Sequence, residues 1–210
     1  VMESIGRTLA LEPFWASTIL CGALIARGGA MAQKAELIPR LADGSLTLAF
    51  AFQERQSRYD LFDVAATARR DGESFVIDGE KQVAPFADSA GRLIVSARTG
   101  GARRDRDGIS LFLVDPEMAG VTMSPSATQD GLRCADLRFE RARAEALIGP
   151  EGGASPIVEQ AVDVALAALC AEAVGAMDEE LRLTIAYLKE RKQFGVPIGH
   201  FQALQHRGLS

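Results

Sequence analysis

The sequence predicts an α+β protein with a helical N-terminal part over residues 1–45, an antiparallel, barrel-like β domain over 46–150 and the start of a C-terminal helical bundle over 151–210. Three observations carry this reading. Apolar residues recur at helical spacing up to Gly44; short β-branched and aromatic runs, separated by turn residues, then take over; and from Ser155 to Lys192 the only glycine is Gly175.

In the first part, Glu12-Pro13 opens one helical segment and Gly28-Gly29 interrupts it. A second runs from Met31 to Leu41, with Ala32, Leu37, Ile38 and Leu41 apolar and Gly44 as its stop. In the middle, Leu46–Phe52 is an apolar run. Phe75–Ile77, the dipeptide Asp78-Gly79 and Glu80–Val83 read as a hairpin, because Asp-Gly supplies the positive φ angles of a tight turn. Leu93–Val95, Ile109–Val114, Val121–Met123 and Ala135–Phe139 continue the series. The last part reads as one long helix over 155–193, capped by Ser155, with Pro156 in its first turn and Arg191 and Lys192 complementing the dipole at its far end. From Val162 to Val174 its apolar residues cover nearly every face, which predicts burial in a bundle or a subunit contact. Gly195, Pro197 and Gly199 make a turn, and Phe201–His206 begins another helix. Val1 is not an initiator and this last helix lacks a full amphipathic stretch, so a fragment of a longer protein, or a truncated copy, is expected.

Composition excludes several functions. The 210 residues are 48% hydrophobic and 24% charged, enough to build a core without a disulfide or metal. A net charge of −5 argues against a nucleic-acid or anionic-membrane binder. The clusters Arg69-Arg70 and Arg103-Arg104 read as solvated faces. Cys21, Cys134 and Cys170 are too scattered for a disulfide framework or zinc site and suit a reducing cytoplasm. His200 and His206 are not at metal-pair spacing, and there is no G-x-S-x-G for a serine hydrolase. The apolar stretch Phe14–Ala26 lacks the basic flank of an export signal and is too short to span a membrane.

Local motifs are more specific. Tyr187–Gly195 (YLKERKQFG), followed by Pro197-Ile198 and Phe201-Gln202, resembles the signature of the acyl-CoA dehydrogenase family. So do Asp71-Gly72 through Asp78–Lys81, Ile109–Val114 with Gly120-Val121, Gly131–Arg133, and Leu147–Gly149 with Glu151-Gly152, all in family order. The resemblance implies FAD, removal of an α-proton and a β-hydride from an acyl-CoA to give a 2,3-enoyl-CoA, a dimer or tetramer (homo- or hetero-oligomeric), and an electron-transfer flavoprotein as acceptor. It also implies that Arg191 reaches the FAD of a partner subunit and that Gln193, Phe194 and Gln202 lie beside that cofactor.

The sequence departs from the family at two motifs. The flavin loop Thr-Glu-Pro-x-x-Gly-Ser-Asp reads Gln53–Asp60 here, keeping only Glu54 and Asp60, and Trp-Ile-Thr reads Val83-Ala84-Pro85. No catalytic base is assigned: the family's carboxylate is expected beyond residue 210 or in the long helix, where Ala165 and Leu166 stand. Asp163 on that helix reads as structural or as a partner for the CoA moiety. The leading expectation is an FAD-dependent acyl-CoA dehydrogenase. The alternative is a non-catalytic subunit of the same fold that completes a partner's flavin site, and a flavin oxidase or monooxygenase is a third reading.

Overall fold

The structure is a computed structural model, and it describes residues 1–207. It forms two compact units, Leu11–Leu166 and Val1–Ala10 together with the chain from Ala167 onward.

The larger unit opens with a π-helical segment, Phe14–Cys21, that runs directly into helix α2, Gly22–Gly28; helix α3, Met31–Ala42, follows. Leu24, Ile25, Leu37 and Leu41 turn inward onto the sheet. Eight strands make that sheet: β1 Leu48–Ala51, β2 Thr67–Asp71, β3 Ser74–Pro85, β4 Arg92–Arg98, β5 Ile109–Val114, β6 Val121–Ala127, β7 Arg133–Arg143 and β8 Ala146–Ile148. Strands β1 and β5 are buried along their whole length, as near-continuous apolar runs should be. Phe50, Phe112 and Phe139 are the largest fully buried apolar side chains, with Phe75 tilted against Phe112 at 5.1 Å.

The α+β class stands, with two corrections inside the β domain. The sheet is mixed rather than antiparallel. It runs β6-β7-β3-β2-β4-β5-β8, and β4 takes both β1 and β2 in parallel. The cause is the long crossover from β1 to β4, which contains β2 and β3; parallel pairing needs a connection of that length. Among the described residues β6 and β8 end the sheet without pairing to each other, so it is open rather than a barrel.

The second correction concerns the hairpin. Its turn lies at Gly72-Glu73 between β2 and β3, not at Asp78-Gly79. Strand β3 passes straight through Asp78-Gly79, and the register against β7 slips there, the mark of a β-bulge. Gly79 has φ +144°, and a Cβ there would fall 2.7 Å from Ala66 Cα, so the backbone of the next segment occupies the space a side chain would need. The Asp78 carboxylate accepts the Arg141 N–H at 2.7 Å and pairs with Arg69 at 3.0 Å, holding the bulge.

Helix α4 runs from Ser155 to Glu190. Ser155 does not cap it as expected: its hydroxyl donates to the Arg106 carbonyl, and Glu159 pairs with the Arg106 guanidinium. The stretch Val162–Val174, expected to be buried in a bundle or a subunit contact, is only partly covered within this chain. Val164, Leu166, Val174, Met177, Leu181 and Leu183 are all exposed, so the apolar excess of this helix lies on its surface. No helix among the described residues is long and apolar enough to cross a membrane.

In the smaller unit, helix α1, Met2–Thr8, crosses α4 at two facing glycines. A Cβ on Gly6 would stand 1.8 Å from the Glu172 carbonyl oxygen, and one on Gly175 would stand 1.9 Å from that of Glu3. Arg7 pairs with Asp178 at 2.8 Å beside this crossing. Substituting Gly175 by Val should therefore detach α1 from α4. The expected result is loss of amide-exchange protection over residues 2–8 and a destabilisation of about 1–3 kcal/mol, the usual cost of overpacking, while protection within β4 and β5 stays unchanged.

Candidate functional site

The loop Gln53–Asp60, one of the two departures from the family pattern, is built around a buried ion pair. Glu54 meets Lys81 of β3 at 2.7 Å, and Lys81 is 0% exposed. The Lys81 ammonium also donates to the Phe52 carbonyl at 3.2 Å and to Ser96 Oγ at 3.1 Å, so each of its protons has an acceptor. The Glu54 carboxylate accepts, besides Lys81, the backbone N–H groups of Ala65 at 2.8 Å and Ala66 at 3.1 Å and the Gln56 amide at 2.7 Å. Burial alone would raise the Glu54 pKa, but Lys81 and these hydrogen bonds outweigh it and hold the carboxyl below its ordinary 4.5. Burial draws the Lys81 ammonium down to about 8 against the opposing pull of Glu54.

The rest of the loop is tied to itself. Ser57 Oγ accepts the Glu54 N–H at 3.0 Å and donates to the Glu54 carbonyl at 2.9 Å. The Asp60 carboxylate accepts the Phe62 N–H at 2.9 Å. Arg58, at the family's glycine position, takes the left-handed conformation with φ +50°. Tyr59, at the serine position, is fully exposed. A second buried cation braces the neighbouring loops: Arg98 donates to the carbonyls of Phe62, Val64, Arg103, Asp105 and Asp107 at 2.6–3.0 Å. Arg103 and Arg104 are not merely solvated, since both reach the buried carboxylate of Asp63, at 2.8 and 2.9 Å.

The second departure, Val83–Pro85, forms the far end of β3. Lys81 faces Leu137 and Ala84 faces Ala135, so Gln82 and Val83 together oppose a single residue, Asp136, in a second bulge. Val83 has φ +49°, a strained conformation for a β-branched residue, and is 43% exposed. Its N–H is held by Asp136 Oδ1 at 2.8 Å. The Gln82 N–H is held by the Gln53 carbonyl and the Phe86 N–H by the Arg133 carbonyl, each at 2.8 Å. Pro85 has no N–H to give. This edge presents apolar side chains and few free donors.

The four residues expected at a cofactor gather elsewhere, just past the end of α4. Arg191 follows the last helical residue; its N–H returns to Tyr187 at 2.9 Å and its carbonyl accepts Ile198 at 2.8 Å. Strands β9, Lys192–Gln193, and β10, Val196–Pro197, form a two-residue ribbon with Gln193 opposite Val196. Phe194 turns at φ +52° and is 92% exposed, its ring edge-on to Phe201 at 6.2 Å. Gln202 opens helix α5, Gln202–Arg207, and is exposed. The Arg191 guanidinium has no hydrogen-bond or ion-pair partner among the described residues and lies at the surface. The structure thus brings Arg191, Gln193 and Phe194 into one small exposed turn, with Gln202 next to the ring that Phe194 contacts.

Of the residues that organise the first region, Lys81 appears in the sequence only as part of a motif, and Arg98 carries no signal at all. Lys81 stands between Glu80 and Gln82 in the sequence, so nothing local marks it as buried.

This architecture, an open mixed sheet with helical segments and the long helix α4, is the fold seen in acyl-CoA dehydrogenases. Residues 49–142 match the acyl-CoA dehydrogenase middle domain and residues 152–209 the acyl-CoA dehydrogenase C-terminal domain. The chain belongs to the acyl-CoA dehydrogenase family. It is 30% identical over 197 residues to a mitochondrial isovaleryl-CoA dehydrogenase from Oryza sativa subsp. japonica, covering 91% of this chain and 48% of that one. Among solved structures, the Tcur3481-Tcur3483 steroid ACAD (G363A variant) superposes with TM-score 0.83 at 33% identity, over 99% of this chain and 54% of that one. Glutaryl-coenzyme A dehydrogenase in complex with glutaryl-CoA superposes with TM-score 0.92 at 25% identity, over 100% and 54%. The chain spans about half the length of the curated relatives it matches.

Removing one partner of the Glu54–Lys81 pair leaves a buried charge, so Lys81→Met should cost about 3–5 kcal/mol in urea unfolding at pH 7. The Glu54→Gln, Lys81→Met double variant should cost less than the sum. Because the folded Glu54 pKa lies below 4.5, its contribution is complete above that pH and is lost as pH falls through the folded value. In Lys81→Met the unpaired carboxyl takes up a proton more readily, so the variant's deficit should shrink on acidification to pH 4.5. A deficit that does not change with pH would contradict this.

Proposed function

We propose that this chain is a subunit of an FAD-dependent acyl-CoA dehydrogenase, an oxidoreductase acting on CH–CH bonds that converts an acyl-CoA to the 2,3-enoyl-CoA. When bound, FAD supplies the acceptor for the β-hydride. The observation that carries the proposal is the Arg191 turn: an exposed guanidinium without a partner among the described residues, beside Gln193 and a bare Phe194, in the segment that matches the family's C-terminal domain. A guanidinium presents a planar fork of donors suited to a pyrophosphate. Arg191 binds the phosphates of the cofactor held by a neighbouring subunit, Phe194 covers it, and Gln193 and Gln202 supply amide contacts. The role of Glu54 and Lys81 is to hold the loop Gln53–Asp60 in place; no residue of this chain is assigned as the base that removes the α-proton. The reading includes the division into domains at 1–45, 46–150 and 151–210, an oligomer as the working form, an electron-transfer flavoprotein as electron acceptor and a cytoplasmic location.

The test is flavin retention in the full-length oligomer. Arg191→Ala should weaken FAD binding by about tenfold or more, the equivalent of losing one charge-assisted contact. Arg191→Lys should recover only part of it, because an ammonium is a point charge without the fork. FAD content and affinity unaltered in Arg191→Ala would remove this role.

A further inference from the structure

Arg103 and Arg104 read as a solvated pair in the sequence, but a support lies under them that a solvated pair does not need. We infer that these two arginines grip the phosphate groups of the acyl-CoA, so that the nucleotide end of the substrate decides binding along with its acyl arm. The inference rests on the acyl-CoA reading above and extends it by naming where the nucleotide end is held.

Two buried groups fix the loop between β4 and β5 that carries them. Arg98, at the end of β4, donates to the carbonyls of Arg103, Asp105 and Asp107, which sets the loop backbone. Asp63, whose side chain is 1% exposed, sets the side chains: it meets Arg103 at 2.8 Å and Arg104 at 2.9 Å. Burying a carboxylate costs free energy that two surface arginines do not require for their own sake. The geometry also leaves donors over. Arg104 spends its Nε on Asp63, and Arg103 its Nε and one Nη. The remaining Nη groups have no partner among the described residues, and the two side chains are 51% and 70% exposed. Two guanidiniums share one carboxylate, so the cluster stays cationic. Other arginines differ. The buried Asp88 takes a single arginine, Arg133, and is cancelled by it. Arg69 and Arg70 meet acids that are themselves part-exposed, the solvated arrangement expected of both clusters.

A cleft of about 470 Å³ adjoins this cluster, with apolar walls from Leu61, Pro156 and Val162 and polar ones from Glu159, Gln160 and Asp163. All of these residues belong to the larger unit. Cleft and cluster are joined through the segment Leu61–Asp63, whose first residue lines the one and whose last holds the other. They are joined again by Arg106, which stacks on Phe62 at 4.4 Å and pairs with Glu159. The pantetheine arm of CoA, with its methyl, hydroxyl and amide groups, needs both apolar walls and polar partners, and the cleft supplies both. Phosphate groups are unwelcome there, because Glu159 and Asp163 line it with negative charge. They belong at the cationic end, where the guanidinium fork matches phosphate oxygens. Charge therefore orients the ligand, with its arm beside α4 and its phosphates on Arg103 and Arg104.

The experiment is calorimetric titration of the full-length, FAD-loaded protein with coenzyme A and, separately, with pantetheine, which lacks every phosphate. The wild type should bind coenzyme A about tenfold or more tightly than pantetheine. Raising NaCl from about 50 to about 500 mM should narrow that margin by screening. The variant Arg103→Gln, Arg104→Gln should lose about tenfold or more in affinity for coenzyme A, with pantetheine binding and FAD content at the wild-type level. Glutamine keeps a donor for Asp63; should circular dichroism still show a loss of fold, adding Asp63→Asn removes the buried charge and gives the same comparison. Equal affinity of the wild type for coenzyme A and pantetheine, a margin indifferent to salt, or an unchanged margin in the neutralised variant would each overturn the inference and leave the acyl-CoA reading in place. Binding of neither coenzyme A nor pantetheine by the FAD-loaded protein would remove both.

Discussion

The buried pair of Glu54 and Lys81 is the constraint on which the β-domain edge depends. An ammonium with no solvent contact is tolerable only when all its protons are accepted, and Lys81 finds a carboxylate, a carbonyl and a hydroxyl. An unprotonated carboxyl in the same place needs donors on every side, and Glu54 draws them from three different segments: its own loop, the backbone at Ala65-Ala66, and β3. The pair therefore fixes how the loop stands against the strand that ends in Val83–Pro85. Arg98 does the same for the loops beyond, with backbone carbonyls in place of a carboxylate. Two cations inside the domain, rather than apolar contacts alone, set the geometry of everything exposed around them.

That division explains what could be read from the sequence. Helices α2, α3 and α4 announce themselves through period, glycine stops and a long glycine-poor run, because those are local properties. The β domain was legible as a set of strands but not as a topology. Whether β1 pairs in parallel with β4 is decided by the crossover between them and by partners many residues away. The Asp-Gly dipeptide at 78–79 carries the conformational signature of a turn, and the conformation is indeed unusual there. What the local sequence cannot reveal is that Ala66, just before β2, and Arg141 of β7 approach it and make it a bulge in an unbroken strand. The buried ion pair was obscured for a related reason: charge reads as exposure unless the partner is known. Arg191 shows the converse, since composition and spacing say nothing about it and only the motif around it marks it out.

Helix α4 poses a different problem. Its apolar residues around Val162–Val174 predict burial in a bundle or a subunit contact, and within this chain Val164, Leu166, Val174, Met177, Leu181 and Leu183 are exposed. Scattered exposed leucines need no explanation, but a concentration of them along one helix is the mark of a contact surface. The hydrophobic pattern records the surroundings in which the helix works rather than the contacts present within this chain.

The same logic bears on the altered flavin motifs. When a site loses its function, its supporting interactions are usually free to decay with it, and a buried lysine is among the first features that random substitution would make costly. Here the opposite has happened: the supporting pair, the strained bulge at Val83 and the self-bonded loop are all in place, while the side chains that face outward from them have changed in character. A fold that keeps an expensive scaffold under altered contact residues still has a structural demand on that edge. A demand of that kind is met where the edge must keep its shape to pack against other protein surface.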